Sequence, residues 1–387
     1  MSTTRSSGKR VLAAGSILAI AVWGVASSGG PAGADDEPEG PDLEFLGQAI
    51  VATGTTFDGT VVGGLSSITY DRKHDVFYSL SDDQSVLSPA RFYTLDIDLD
   101  DGRLDAGDVS FVDVTTLLAP NGLPYPAASL DPEGLTLTKR GELVVTSEGI
   151  ATRAISPWVR RYSLAGAYLT DLPVPEAFQP TSAAHGVRQN LAFEAAAVAP
   201  NGRHLFVGME GALVQDGPAA TVAGGTSSRI LRYNLRSGNL ERQNVYVTDP
   251  VAVPPVPATQ FAVNGLVELL PFDDELMLSM ERSFSVGAPG TGNTIRLYTV
   301  SFDGATNVNG LDSIAGLGNL RPVHKTLLLD LVTLGIPLDN VEGMVLGPRL
   351  PDGRQSLILV SDNNFAPTQF TQFLLFAIDS PDDDDDD

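Results

Sequence analysis

Five stretches of the chain are variations on one pattern, and this repeat restricts the fold more than any other feature. They are "GGLSSITYDRKHDVFYSLSDD" from Gly63, "PEGLTLTKRGELVVTSEG" from Pro132, "FEAAAVAPNGRHLFVGMEG" from Phe193, "VNGLVELLPFDDELMLSMERS" from Val263 and "VEGMVLGPRLPDGRQSLILVSDNN" from Val341. Each opens on a small or acidic pair, runs through alternating apolar residues, turns at a polar Gly/Asp segment and returns along a second apolar run. Each then closes on an acidic residue: Asp82, Glu148, Glu210, Glu281 or Asp362. The starts lie roughly 60 to 80 residues apart, too far for single hairpins and right for four-stranded units.

The intervening segments supply the other two strands. "RFYTLDIDL" and "VSFVDVTTLL" follow the first copy, "WVRRYSLAG" and "YLTDLPV" the second, "RILRYNLRSG" and "NVYVTDPV" the third, and "TIRLYTVSFDG" and "KTLLLDLV" the fourth. Their β-branched and aromatic content, period-two alternation and Gly/Asp turns mark antiparallel strands, and no segment of similar length carries helical periodicity. The fifth copy has only "QFLLFAID" after it, leaving one strand missing. "LEFLGQAIVA" (Leu43 to Ala52) is available to fill that place and close a ring, which removes the open edge. The expected fold is all-β: a single β-propeller over residues 43–379, with five blades counted and room for a sixth only in 211–228 or 302–324.

The ends read differently. Arg5, Lys9 and Arg10, the apolar run Val11 to Val25 and the small-residue stretch to Ala34 have the form of an export signal over 1–34, cut near Ala34. Residues 35–42 form a linker by composition, and 380–387 an acidic tail expected to be disordered. The protein is therefore expected outside the cytoplasm, secreted or periplasmic, with no membrane association beyond the signal. Without cysteine it has no disulfides, so burial, aided by a bound metal, must stabilise it. With the three cations of the signal set aside, 21 Lys and Arg face 48 Asp and Glu. That balance argues against nucleic acid as a partner.

In a propeller the first strand of each blade lines the central channel. Acidic residues precede that strand at Glu133, Glu194 and Glu342, with Gly63 and Asn264 at the corresponding points, and others end the second strand. Antiparallel pairing brings the two sets to one face. Asp82, Glu133, Glu148, Glu194, Glu210, Glu281, Glu342 and Asp362 are thus expected around one mouth. Carboxylates so close repel one another unless a cation intervenes. Hard oxygen ligands, no Cys and only four His point to Ca²⁺. Arg188 and Arg282 fall beside this mouth, placed to pair with a carboxylate or to take a phosphate oxygen. No Gly-x-Ser-x-Gly elbow, phosphate-binding Gly-Lys-Ser loop or His-Glu-x-x-His pair occurs.

"GVRQNLAFEAAAVAPNGRHLFVGMEG", "LMLSMERSFSVGAPGTGNTIRLYTV" and "DNVEGMVLGPRLPDGRQSLILVSDNNFAPTQFTQFLLFAI" resemble the family described by esterase-like activity of phytase, over about Phe45 to Ile378. The resemblance implies a secreted or periplasmic phytase-like propeller that hydrolyses phosphate esters. Its motifs fall on Asp82, Glu133, Glu148, Arg188, Asn190, Glu194, Glu281, Arg282, Asn340, Glu342, Asp362, Asn363 and Asn364. The third copy departs from the usual Glu-Gly pair by having Ala195. Three readings stand at this point: a Ca²⁺-dependent hydrolase of phosphate esters in which Arg188, Arg282, Asn363 and Asn364 serve catalysis, a non-catalytic binding propeller with structural calcium, and a lactonase or carboxylic-esterase propeller. The expected partner is a small-molecule ester, phosphorylated or not, and the expected state a monomer.

Overall fold

A computed structural model describes residues 40–379; the expected export signal, the linker up to residue 39 and the acidic tail lie outside the described residues. After β1 (Asp42–Val51) and a short hairpin of β2 (Thr56–Phe57) and β3 (Thr60–Val61), four-stranded antiparallel sheets follow one another. Blade 1 comprises β4 (Leu65–Asp71), β5 (Val76–Ser81), β6 (Arg91–Ile97) and β7 (Val109–Thr116). Blade 2 comprises β8 (Pro132–Leu137), β9 (Glu142–Ser147), β10 (Trp158–Ser163) and β11 (Tyr168–Leu172). Blade 3 comprises β12 (Phe193–Val198), β13 (His204–Met209), β14 (Ser227–Asn234) and β15 (Leu240–Val247). Blade 4 comprises β16 (Ala262–Pro271), β17 (Leu276–Ser285), β18 (Asn293–Ser301) and β19 (His324–Asp330). Blade 5 comprises β20 (Asn340–Arg349), β21 (Gln355–Asp362) and β22 (Thr371–Asp379), and β1 completes it by pairing antiparallel to β22 from Asp42↔Asp379 to Val51↔Thr371.

The inner strands β4, β8, β12, β16 and β20 pack in sequence, and β20 returns to β4, so the ring closes at five. The segments 211–228 and 302–324 hold no further sheet among the described residues. The period-two alternation explains what holds the ring. Each strand sends alternate residues to the gaps on either side of its blade, and each of the five gaps holds its own apolar cluster. Tyr78, Leu80 and Phe92 meet Leu135, Leu143 and Val145 between blades 1 and 2. Val144 and Val159 meet Phe193, Leu205 and Val207 between blades 2 and 3. Phe206 and Ile230 meet Leu266, Leu269 and Met277 between blades 3 and 4. Leu278 and Met280 meet Val341, Leu357 and Leu374 between blades 4 and 5, and Ile358, Val360 and Phe373 meet Ile68, Phe77 and Leu95 across the closing gap. Each such side chain contributes roughly 1.5–3 kcal/mol by leaving water.

Close approach of the inner strands accounts for the Glu-Gly pairs. A Cβ on Gly134 would stand 2.5 Å from the Glu194 carbonyl oxygen, and one on Gly343 would meet Val360 at 2.7 Å. In blade 3 the small residue has moved across the ladder: Ala195 pairs with Gly208, where an added Cβ would lie 3.1 Å from the Ala195 methyl. The departure from Glu-Gly is thus absorbed by the facing strand.

Candidate metal centre at the propeller mouth

Every inner strand begins with a β-bulge, between Leu65 and Ser67, Pro132 and Leu135, Phe193 and Ala195, Leu266 and Glu268, and Val341 and Gly343. A bulge re-aims the extra residue. The positions so displaced hold Ser66, Glu133, Glu194, Val267 and Glu342. The residue following the second strand's last partner of that stretch forms a second ring: Asp82, Glu148, Glu210, Arg282 and Asp362. Backbone bonds fix it, with Asp82 N donating to the Gly64 carbonyl (2.8 Å), Glu148 N to Asp131 (2.9 Å) and Glu210 N to Ala192 (2.7 Å). Gly64 is left-handed (φ +62) with Asp82 Oδ1 only 1.9 Å from where a Cβ would stand, so no larger residue fits.

Blade 4 therefore contributes Arg282, not Glu281, to the mouth. Glu281 lies one residue earlier, and in a strand a one-residue step points the side chain to the opposite face. It accepts hydrogen bonds from Tyr246 Oη, Asp249 N and Asn264 Nδ2, each at 2.8 Å, and pairs with Lys325. Asn264, aligned with Glu133 in the sequence, belongs to this separate cluster.

The other predicted acids converge. Glu133, Glu148, Glu194, Glu210, Glu342 and Asp362 are buried, and Asp82 joins them. They are accompanied by Asp131, which sequence reasoning missed although "DPEG" and "NVEG" place Asp131 and Asn340 at the same offset before their Glu-Gly pairs. Arg282 neutralises one side: its Nη2 lies 2.9 Å from Glu342 Oε1 and 3.3 Å from Glu210 Oε1. Asn340 Nδ2 donates to Glu342 (2.9 Å) and Asp362 (3.3 Å). Across the mouth, on blades 1 to 3, carboxylate oxygens are buried without any hydrogen-bond donor: Asp82 Oδ1, Asp131 Oδ2, Glu148 Oε2 and Glu210 Oε2, while Glu210 Oε1 has only the ion pair with Arg282. Asp131, Glu133 and Glu148 offer oxygens within 4.8 Å of one another, and so do Glu148, Glu194 and Glu210, with Glu148 common to both groups. Among the described residues, eight carboxylates share this mouth with Arg282 as their cation, and the unpartnered oxygens lie where a hard, oxygen-preferring metal ion fits.

The electrostatics follow from burial. Burial pushes Asp131 up to about 6, and burial followed by repulsion from Glu342 pushes Asp362 up to about 8. Glu210 rises to about 7 by burial although Arg282 pulls it down. Burial and then like-charged neighbours raise Asp82 (Asp362 first), Glu133 (Glu194 first), Glu148 (Asp131 first) and Glu194 (Glu148 first) well above the ordinary carboxylate range. Burial lowers the Arg282 value, but Glu210, Glu342 and Glu194 outweigh it and keep the guanidinium charged.

The remaining candidates have other surroundings. Arg188 Nη2 donates to the Gly217 carbonyl (2.5 Å), pinning a loop. Asn363 Oδ1 accepts from Gly64 N (3.1 Å) and Phe365 N (3.0 Å), fastening the end of β21 to the start of blade 1. Asn364 is exposed, with its backbone N on Asp362 Oδ1 (2.6 Å) and a left-handed φ of 47. Deeper in the channel Glu268, buried on β16, accepts from Leu269 N (2.9 Å) and Ser67 Oγ (3.4 Å). Burial pushes it well above its ordinary range. A lone Glu in "GLVELL" was its only trace in the sequence.

A family model described as "Phytase-like: Esterase-like activity of phytase" matches residues 60–365. No curated protein matches the chain. Among solved structures the chain is similar to an endo-arabinase from Bacteroides thetaiotaomicron VPI-5482, at 12% identity and TM-score 0.42, covering 88% of this chain and 99% of that one. It is also similar to the periplasmic gluconolactonase of Pseudomonas aeruginosa, at 13% identity and TM-score 0.34 over 87% and 96%. A third similarity is to the tail fiber of Staphylococcus aureus phage P68, at 11% identity and TM-score 0.41, where the match covers 87% of this chain and 53% of that one.

Proposed function

The chain belongs to the phytase-like family described by esterase-like activity of phytase, and from that premise we propose that it is an exported, monomeric, Ca²⁺-dependent hydrolase of small phosphate esters. The observation that carries this reading is the asymmetry of the mouth. Arg282 pairs with Glu342 and, at 3.3 Å, with Glu210, whereas Asp131, Glu133, Glu148, Glu194 and Glu210 form two carboxylate groups joined at Glu148, in which Asp131 Oδ2 and Glu148 Oε2 are buried without a donor. Those five residues would hold calcium. Bound there, calcium would polarise the phosphoryl group, lower the pKa of a coordinated water and turn the mouth's field from repelling to attracting an anionic substrate.

The chain's own residues supply the rest. Arg282 and Asn340 fix Glu342 and Asp362, so the wall opposite the metal ligands is rigid. Asp82 and Asp362 lie outside both carboxylate groups and repel each other, so the pair retains one proton more readily than two separate acids. In hydrolysis, water oxygen bonds to phosphorus and the bond to the ester oxygen breaks. The Asp82–Asp362 pair takes the water's proton and returns it to the departing alkoxide.

One observation favours a second reading. Arg282 is already engaged by Glu210 and Glu342, so no free guanidinium meets a phosphate dianion, and an uncharged lactone or carboxylic ester suits the same metal. Metal-stripped and calcium-reloaded protein, assayed side by side on phytate, a simple phosphate monoester, a lactone and a carboxylic ester, separates the two. Calcium-dependent phosphate release is the expected result. Turnover of the carboxylic substrates alone selects the second reading, and no turnover with calcium content verified leaves a binding propeller.

A further inference from the structure

At the end of the propeller opposite the mouth, one patch between blades 2 and 3 is basic. Lys139 and Arg140 stand on the β8–β9 turn, Arg203 on the β12–β13 turn, Arg236 on the β14–β15 turn, and Arg161 toward the same end of β10. All five line one pocket of about 340 Å³ between blades 2 and 3, with Glu142 as its only acid. The inner strands run six residues from mouth to turn here, so the two ends lie on the order of 20 Å apart.

Three features separate this pocket from an ordinary solvated turn surface. The chain has two acids for every base, yet Lys139, Arg140, Arg203 and Arg236 have no carboxylate partner among the described residues. Arg161 is the exception, with Nη1 3.6 Å from Glu142, and its guanidinium is also tied to the Leu235 carbonyl while its Nε is buried without an acceptor. The Lys139 stem lies over Gly202, so close that a Cβ there would stand 2.6 Å from Lys139 Cδ. That contact crosses from blade 2 to blade 3 and sets the charges facing one another. Clustered like charges repel, and the arrangement is relieved by an anion that spans them.

We propose that this pocket is a binding site for a small ligand carrying two or more phosphate groups, separate from the mouth. Guanidinium forks match phosphoryl oxygens in pairs. The volume suits a small molecule rather than a protein segment. Five cations against one acid call for a ligand of several negative charges, more than one phosphate monoester carries. The assignment is independent of whether the mouth hydrolyses esters.

Isothermal titration of the full-length protein with pyrophosphate, in EDTA so that no divalent cation can recruit the anion to the mouth, is the test. One pyrophosphate per chain is expected, with affinity that falls as salt rises. Arg203→Ala with Arg236→Ala should weaken binding at least about tenfold. Glu142→Gln should tighten it, a gain that a folding defect does not produce. Orthophosphate should bind more weakly than pyrophosphate. Absence of pyrophosphate binding, indifference to the Arg203/Arg236 change, or citrate binding as tightly as pyrophosphate would overturn the proposal.

Discussion

Replacing Arg282 by methionine should destabilise the metal-free protein by an amount that grows with pH. Glu342 loses its only guanidinium partner at 2.9 Å, and Glu210 loses its ion pair at 3.3 Å. Both are buried, so neither can stay ionised without a counter-charge, and the folded variant must hold them protonated. A folded state that keeps a proton its unfolded chain releases loses stability as pH rises. For Glu342, with an unperturbed value of 4.5, holding the proton costs about 1.4 kcal/mol per pH unit above that value. Because burial already raises Glu342 in the parent, the deficit is at most roughly 0.7 kcal/mol near pH 5 and at most roughly 5 kcal/mol near pH 8, where it approaches the range of a broken buried ion pair. Urea unfolding in EDTA, followed by the fluorescence of buried Trp158 stacked on Tyr125, measures the difference from the parent protein at each pH. A deficit that is the same at both pH values, or below about 1 kcal/mol near pH 8, would refute the reasoning.

Three further outcomes follow from the same geometry. Calcium at about one hundred times its dissociation constant should stabilise the protein by about 2.7 kcal/mol, and Glu148→Gln, which breaks both carboxylate groups, should remove most of the calcium-induced rise in melting temperature. Glu281→Gln should lower stability by roughly 1–3 kcal/mol by weakening the buried network with Tyr246, Asn264 and Lys325, while ester turnover per folded molecule stays at the parent value. Gly134→Ala should destabilise by at least roughly 1–3 kcal/mol, read by thermal unfolding, because its methyl would press on the Glu194 carbonyl and Thr146 Oγ1 at 2.5 and 2.7 Å.

The repeat made the five blades and their closure legible because strand alternation and turn residues are local signals that survive divergence between copies. The acids of the mouth were legible in four blades out of five for the same reason: an acid closes the second strand at a fixed place in each copy. Blade 4 misled because Val267 and Arg282 occupy the two positions where other blades carry acids or a hydroxyl, and the neighbouring Glu281 imitates the pattern one residue out of register. Only the pairing of Gly265 with Arg282 distinguishes the two frames. Glu268 gave no periodic signal, since its role depends on Ser67 from another blade. The basic pocket was hidden for a different reason. Each contributing turn is an unremarkable polar turn in sequence, and only the packing of blade 2 against blade 3 assembles the charges.

The pairing of β1 with β22 has a practical geometry. Asp42 and Asp379 are direct partners at one end of blade 5, and because Thr371 starts β22 at the mouth side, that end is the far one. The path of the chain thus enters and leaves the propeller on the same side, away from the carboxylates. A tag or surface linker joined at either point anchors the molecule by its back, so an immobilised propeller presents its mouth to the flowing solution.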